Sequence, residues 1–118
     1  MSRLMPTLAV AFALAALSLA CGFGKYQCKS KQAEMKMSLT EAAAYMQLYR
    51  AEHGTYAKTR DELEEAGFSP EETYYEIEIK SATDDTYVIV ARGTGDMEGD
   101  LWEMDESGQE KPVSDKCN

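Results

Sequence analysis

Between Met35 and Lys80 the spacing of apolar residues changes from that of a helix to that of a strand, and this change bounds the fold more tightly than any other feature. Met35, Leu39, Ala42, Met46 and Tyr49 recur at intervals of four, three, four and three residues, and Tyr45 and Leu48 widen the stripe. That pattern predicts a helix from about Ser30 to His53 with one apolar face. Gly54 supplies its stop, because glycine accepts a left-handed backbone. Thr59-Arg60-Asp61-Glu62 fits a capping box and opens a short helix through Ala66, which Gly67 ends and after which Phe68 turns inward. In Tyr75-Glu76-Ile77-Glu78-Ile79-Lys80 apolar and charged residues alternate, the mark of a strand with one solvated face. Ala82 to Asp85 reads as a reversal, Tyr87–Ala91 as a more buried strand, and Leu101–Met104 as a third. Gln109–Val113 is a weak fourth strand, in which Pro112 suits an edge. Short reversals imply antiparallel pairing. The expected fold over residues 30–118 is α+β, one long N-terminal helix packed on a sheet of three to four antiparallel strands.

The first twenty residues obey a different rule. Arg3 is followed by an uncharged run from Leu8 to Ala20. As a helix this run would span about 20 Å, short of a bilayer's hydrocarbon core, so residues 1–20 read as a secretion signal. The run ends at Ala20-Cys21-Gly22, which resembles the lipobox of bacterial lipoproteins, although Ser18 and Leu19 depart from its usual residues. Lipidation at Cys21 is the expectation, with residues 21–29 as anchor and linker; simple cleavage nearby and an uncleaved anchor are the alternatives. Several acyl chains would make the attachment to a membrane persistent. Such a chain is expected to be exported and to sit in the bacterial cell envelope, on its periplasmic face or its surface, with the outer membrane as the favoured place.

Three cysteines are present, Cys21, Cys28 and Cys117. An odd count in an exported chain calls for a reason, and lipidation of Cys21 leaves an even pair. A Cys28–Cys117 disulfide would tie the two ends of the domain together and requires an oxidising compartment. Free thiols or a metal site are the other possibilities, the latter disfavoured by a single histidine and the lack of Cys-x-x-Cys spacing.

Lys and Arg number 12 against 21 Asp and Glu, for a net charge of −9. A domain this acidic repels phosphate backbones, so no nucleic acid is expected as a partner. The charge is uneven: residues 21–60 carry seven basic and three acidic groups, residues 61–118 four basic and eighteen acidic. Either the two halves attract each other within the domain, or a bipolar subunit meets another copy head to tail.

The stretch Lys31-Gln32-Ala33-Glu34, continued through Tyr45 and Tyr49 to Ala51-Glu52-His53-Gly54-Thr55-Tyr56, is joined by Gly67-Phe68 and the strand pair. The run Gly95-Asp96-x-x-Gly99-Asp100-Leu101-Trp102, with Asp105-x-x-Gly108, extends it. Together these resemble type IV pilin-like and pseudopilin-like proteins. The resemblance implies a long helix against an antiparallel sheet and a structural or adhesive role in envelope filaments or secretion machinery. Such subunits are cut between Gly and Phe ahead of an apolar helix. Here the apolar run precedes Gly22-Phe23, and Lys25, Lys29 and Lys31 follow, so the chain reads as a pilin-like head on a different anchor.

Nothing marks an enzyme. No Gly-x-Ser-x-Gly elbow, P-loop or His-Glu-x-x-His motif occurs. His53, the only histidine, sits at a helix end where it can meet the last carbonyls. The best site candidate is the acidic loop Asp96-Met97-Glu98-Gly99-Asp100: Asp96, Glu98 and Asp100 could gather oxygens around Ca²⁺, although the spacing does not fit an EF-hand. No other cofactor is expected. The function expected is a non-catalytic, lipid-anchored envelope protein that meets other envelope proteins or itself. The alternative is a soluble periplasmic or secreted module that binds a ligand or ion.

Overall fold

A computed structural model describes the backbone from Leu4 and the side chains from Gly24 to Asn118. The elements in chain order are α1 (Leu4–His53), α2 (Arg60–Glu65), β1 (Tyr75–Ala82), β2 (Tyr87–Gly93), a 3-10 turn (Gly95–Met97), β3 (Leu101–Asp105) and β4 (Glu110–Ser114). The four strands form one antiparallel meander in the order β1-β2-β3-β4. The fold is α+β, a long helix on an antiparallel sheet.

Met35, Leu39, Ala42, Met46 and Tyr49 of α1 are all buried. They pack with Tyr75 and Ile77 of β1, Tyr87, Ile89 and Ala91 of β2, and Trp102 and Met104 of β3. The alternation in β1 and β3 follows from the pleat, which sends every second side chain to the helix. Leu48 departs from expectation. It stays exposed, because the sheet covers only the strip of α1 that runs through Met46 and Tyr49.

Helix α1 is already helical at Gly24, ahead of the Ser30 start and through residues expected to form a linker. Once a helix is nucleated, each added residue gains a hydrogen bond, and Lys25 to Ser30 contain no proline to stop it. Cys28 and Gln32 also anchor these turns to the body, as described below. At the other end Gly54 has φ 79° and donates its N–H to the Arg50 carbonyl at 2.8 Å.

The capping box forms as the sequence predicts. Thr59 accepts from the Glu62 N–H at 3.2 Å, and Glu62 accepts from the Lys58 N–H at 3.2 Å. Phe68 is buried, and Gly67 has φ 119° with the Tyr45 ring so close that a Cβ would lie 2.9 Å from it.

Two irregularities shape the sheet. The β1–β2 register shifts between Ile79 and Ser81, and the β3–β4 register between Leu101 and Trp102. The weak fourth strand is an edge, and Pro112 lies on it. The acidic loop around Asp96–Asp100 contains part of the 3-10 turn Gly95–Met97. Gly93 ends β2, and Met97 buries its side chain from the 3-10 turn.

Attraction between the two halves operates within the chain. Lys31 meets Asp96 at 3.6 Å, Arg50 meets Asp85 at 2.9 Å, and Arg60 meets Glu72 at 2.7 Å. Residues 1–20, expected to be a secretion signal, and Cys21 lie outside the residues whose side chains are described. Among the described residues no helix is long and apolar enough to cross a membrane.

Candidate functional site

The side chains with the most chemical capacity gather where the early turns of α1 meet the C-terminal segment. Cys28 and Cys117 are joined there, with Cα atoms 5.7 Å apart and 89 residues of separation. On the chain-entropy view, closing so long a loop is worth roughly 4–5 kcal/mol.

One turn further along α1, Gln32 points the same way and is buried. Its Nε2 donates to Asp115 at 2.8 Å and lies 3.2 Å from both carboxylate oxygens of Asp100. Asp100 is 1% exposed. It also accepts from Trp102 Nε1 at 3.2 Å, from the Lys116 backbone N–H at 2.9 Å and from the Tyr75 hydroxyl. A buried carboxylate is tolerated only when its lone pairs are filled by donors, and here donors from α1, β1, β3 and the C-terminal segment converge on one group. Burial, followed by the hydrogen bond to Asp100, raises the Tyr75 pKa well above its ordinary value, so its proton stays in place. The hydrogen bond from Gln32 holds the Asp115 carboxyl below its usual range.

The three residues of the calcium expectation are thus not alike. Asp100 faces the interior with its oxygens engaged, while Asp96 and Glu98 are exposed and Asp96 faces Lys31. Among the described residues no set of three His, Cys, Asp or Glu side chains is arranged to hold a metal ion. The tightness of this loop comes from Gly93, where a Cβ would sit 1.8 Å from the Met97 carbonyl oxygen.

His53 behaves as a helix-end residue. Its Nδ1 lies 3.1 Å from the Tyr49 carbonyl oxygen, and its ring stacks on Tyr49 at 4.0 Å between centroids. Tyr49 in turn donates to Glu62, which holds the Glu62 carboxyl low and raises the tyrosine pKa.

The Asp100 junction escaped sequence reasoning because Asp100 sits among acidic loop residues that resemble it in type. The available signal was Gln32. It precedes Met35 and Leu39 by three and seven residues, on the buried face, where an amide demands a partner.

Basic side chains surround the same end. Lys25 and Lys29 are exposed beside Cys28. Lys116 precedes Cys117 and donates its Nζ to the Asp96 carbonyl at 2.5 Å. Lys36 places its ammonium 4.4 Å above the Trp102 ring.

A helix laid on an antiparallel meander, with the early helix and the C-terminal segment clamped by a disulfide and a buried carboxylate, defines a pilin-like head. Residues 22–101 match the family described as type IV minor pilin ComP, DNA uptake sequence receptor, and the chain belongs to that family. No match is found among curated proteins. Membership makes the chain a non-enzymatic, exported cell-envelope protein.

Proposed function

We propose that this chain is a lipid-anchored pilin-like head that works through protein–protein contacts at the cell envelope. The observation that carries the reading is the use made of the reactive groups. Asp100 is committed to Tyr75 in the interior and Glu62 to Tyr49 in a part-buried pair, which leaves a rigid body whose outer surface is the working part. The anchor rests on sequence, on an uncharged run that ends at Ala20-Cys21 and is followed at once by the charged Lys25 and Lys29. Mass spectrometry of the full chain from membranes is the test. The expected result is an acylated N-terminal Cys21, and a mature chain that retains Leu8–Ala20 would defeat the anchor.

A second reading takes its support from the family's description as a DNA uptake sequence receptor and from three lysines, Lys25, Lys29 and Lys116, that flank the bridged cysteines. A basic patch on an acidic body can steer a phosphate backbone to one end. The net charge of −9 opposes it. Gel-shift titration with double-stranded DNA at low salt separates the two readings. The protein-contact reading expects no retardation, whereas a DNA receptor would show a shift that falls steeply with salt and is lost in K25A/K29A/K116A.

A further inference from the structure

Strand β1 is the longest of the four and forms one edge of the sheet. A long edge strand offers a row of unpaired N–H and C=O groups to any other extended chain. The opposite edge, β4, carries Lys111 and Pro112, and a proline has no N–H to give. β1 contains no proline.

The pairing of β1 with β2 fixes which of its backbone groups face outward. The Tyr74 carbonyl accepts from the Thr94 N–H at 2.8 Å, and Glu76 and Glu78 follow in the same phase, opposite Arg92 and Val90. In an antiparallel ladder, residues of that phase bond to the neighbouring strand, and those between them turn their backbone groups the other way. Ile77 therefore directs its N–H and C=O away from β2, to the side where a fifth strand would lie.

Both groups are already taken. Glu72 Oε2 accepts from the Ile77 N–H at 2.8 Å, and Arg60 Nη1 donates to the Ile77 carbonyl at 2.6 Å. The two side chains are joined to each other, Arg60 Nη2 to Glu72 Oε1, at 2.7 Å. One acceptor and one donor held side by side are what a residue of an adjoining antiparallel strand presents to its partner. Helix α2 fixes the arginine from behind. Leu63 is buried, the guanidinium lies over Phe68, and Glu64 sits 3.2 Å from Arg60 Nε. Further along β1, the register shift between Ile79 and Ser81 interrupts the regular ladder, as bulges do at guarded edges.

We infer that the Arg60–Glu72 pair stands in the place of a fifth strand, an autoinhibitory contact that closes the β1 edge to extended segments of other chains. It goes beyond both functional readings above and holds under either. Neighbours then meet this side of the head through side chains rather than by extending its sheet.

A strand donor tests it. The probe is a fluorescein-labelled synthetic peptide with the sequence of Tyr74–Ala82, added to the full chain in detergent micelles and followed by anisotropy. R60A/E72A is expected to bind the peptide roughly tenfold or more tightly than the unmodified chain, since two backbone groups become free to pair. E72Q is expected to stay closed, because its amide oxygen can still accept from the Ile77 N–H. D100N, weakened elsewhere, is also expected to stay closed, which separates an opened edge from a general loss of stability. Equal binding by the unmodified chain and R60A/E72A overturns the inference, as does binding by D100N that matches the double variant. Hydrogen exchange of the unmodified chain tests the contact without any substitution. The Ile77 amide is expected to exchange at least about tenfold more slowly than in an unfolded chain, and E72A to abolish that protection. An Ile77 amide that exchanges at the unfolded rate overturns the inference even if the double variant fails to fold.

Discussion

Asp100 concentrates more of the fold's dependence than any other side chain. Its carboxylate is the acceptor for donors from α1, β1, β3 and the C-terminal segment, and it is 1% exposed. Asp100→Asn keeps the shape but removes the charge and turns an NH₂ group toward donors that then lack an acceptor. Leaving buried donors unmatched costs about 1–3 kcal/mol each, more beside a charge, so we expect D100N to lose about 2–4 kcal/mol in urea unfolding. Asp96→Asn, four residues away and exposed, should change stability by less than about 0.5 kcal/mol. Equal effects for the two would refute the assignment of the junction. Sequence reasoning grouped Asp96, Glu98 and Asp100 because an acidic loop looks uniform when read along the chain. Only the approach of Gln32 and Tyr75, distant in sequence, gives Asp100 a different role.

Between elements, the attachment of α2 to β1 depends on Arg60. Its guanidinium bonds Glu72 at 2.7 Å and the Ile77 carbonyl at 2.6 Å, and it lies over the Phe68 ring at 5.0 Å. Burial works to raise the Glu72 pKa, but the Arg60 hydrogen bond and the Ile77 N–H outweigh it and hold the carboxyl below its ordinary value. A lowered folded-state pKa gives stability that is fully present above the unfolded value, near pH 4.5, and is lost as the pH falls through the folded value. Glu62, Asp105 and Asp115 shift in the same direction, so the head should weaken on the acid side. Glu72→Gln is expected to cost about 1 kcal/mol at pH 7 and almost nothing near pH 3, as read from melting temperatures across that range. A constant deficit at every pH would show that Glu72 acts by packing rather than by charge. The capping box of α2 was legible beforehand, since its partners lie within four residues of each other. The Arg60–Glu72 link was not, because it forms only when the intervening loop folds back.

Over the whole molecule, the Cys28–Cys117 bridge closes nearly all of the described head into one ring. Its reduction should cost roughly 4–5 kcal/mol on the chain-entropy model. A domain of this size has little stability to spare, so guanidinium unfolding with and without reductant should show a large shift of the midpoint. A shift below about 1 kcal/mol would mean that the Asp100 junction alone holds the two ends. The sequence by itself determined the helix face, its glycine stop, three strands with a weaker fourth and their antiparallel order, and it favoured the pairing of Cys28 with Cys117. Each of these depends on local periodicity, on short-range turn chemistry or on the count of a rare residue. The tertiary structure decided the inward turn of Asp100, the burial of Met97, the early start of α1 and the exposure of Leu48. Those outcomes depend on which distant surfaces meet, and a polar group's role is fixed by the donors that reach it rather than by its neighbours along the chain.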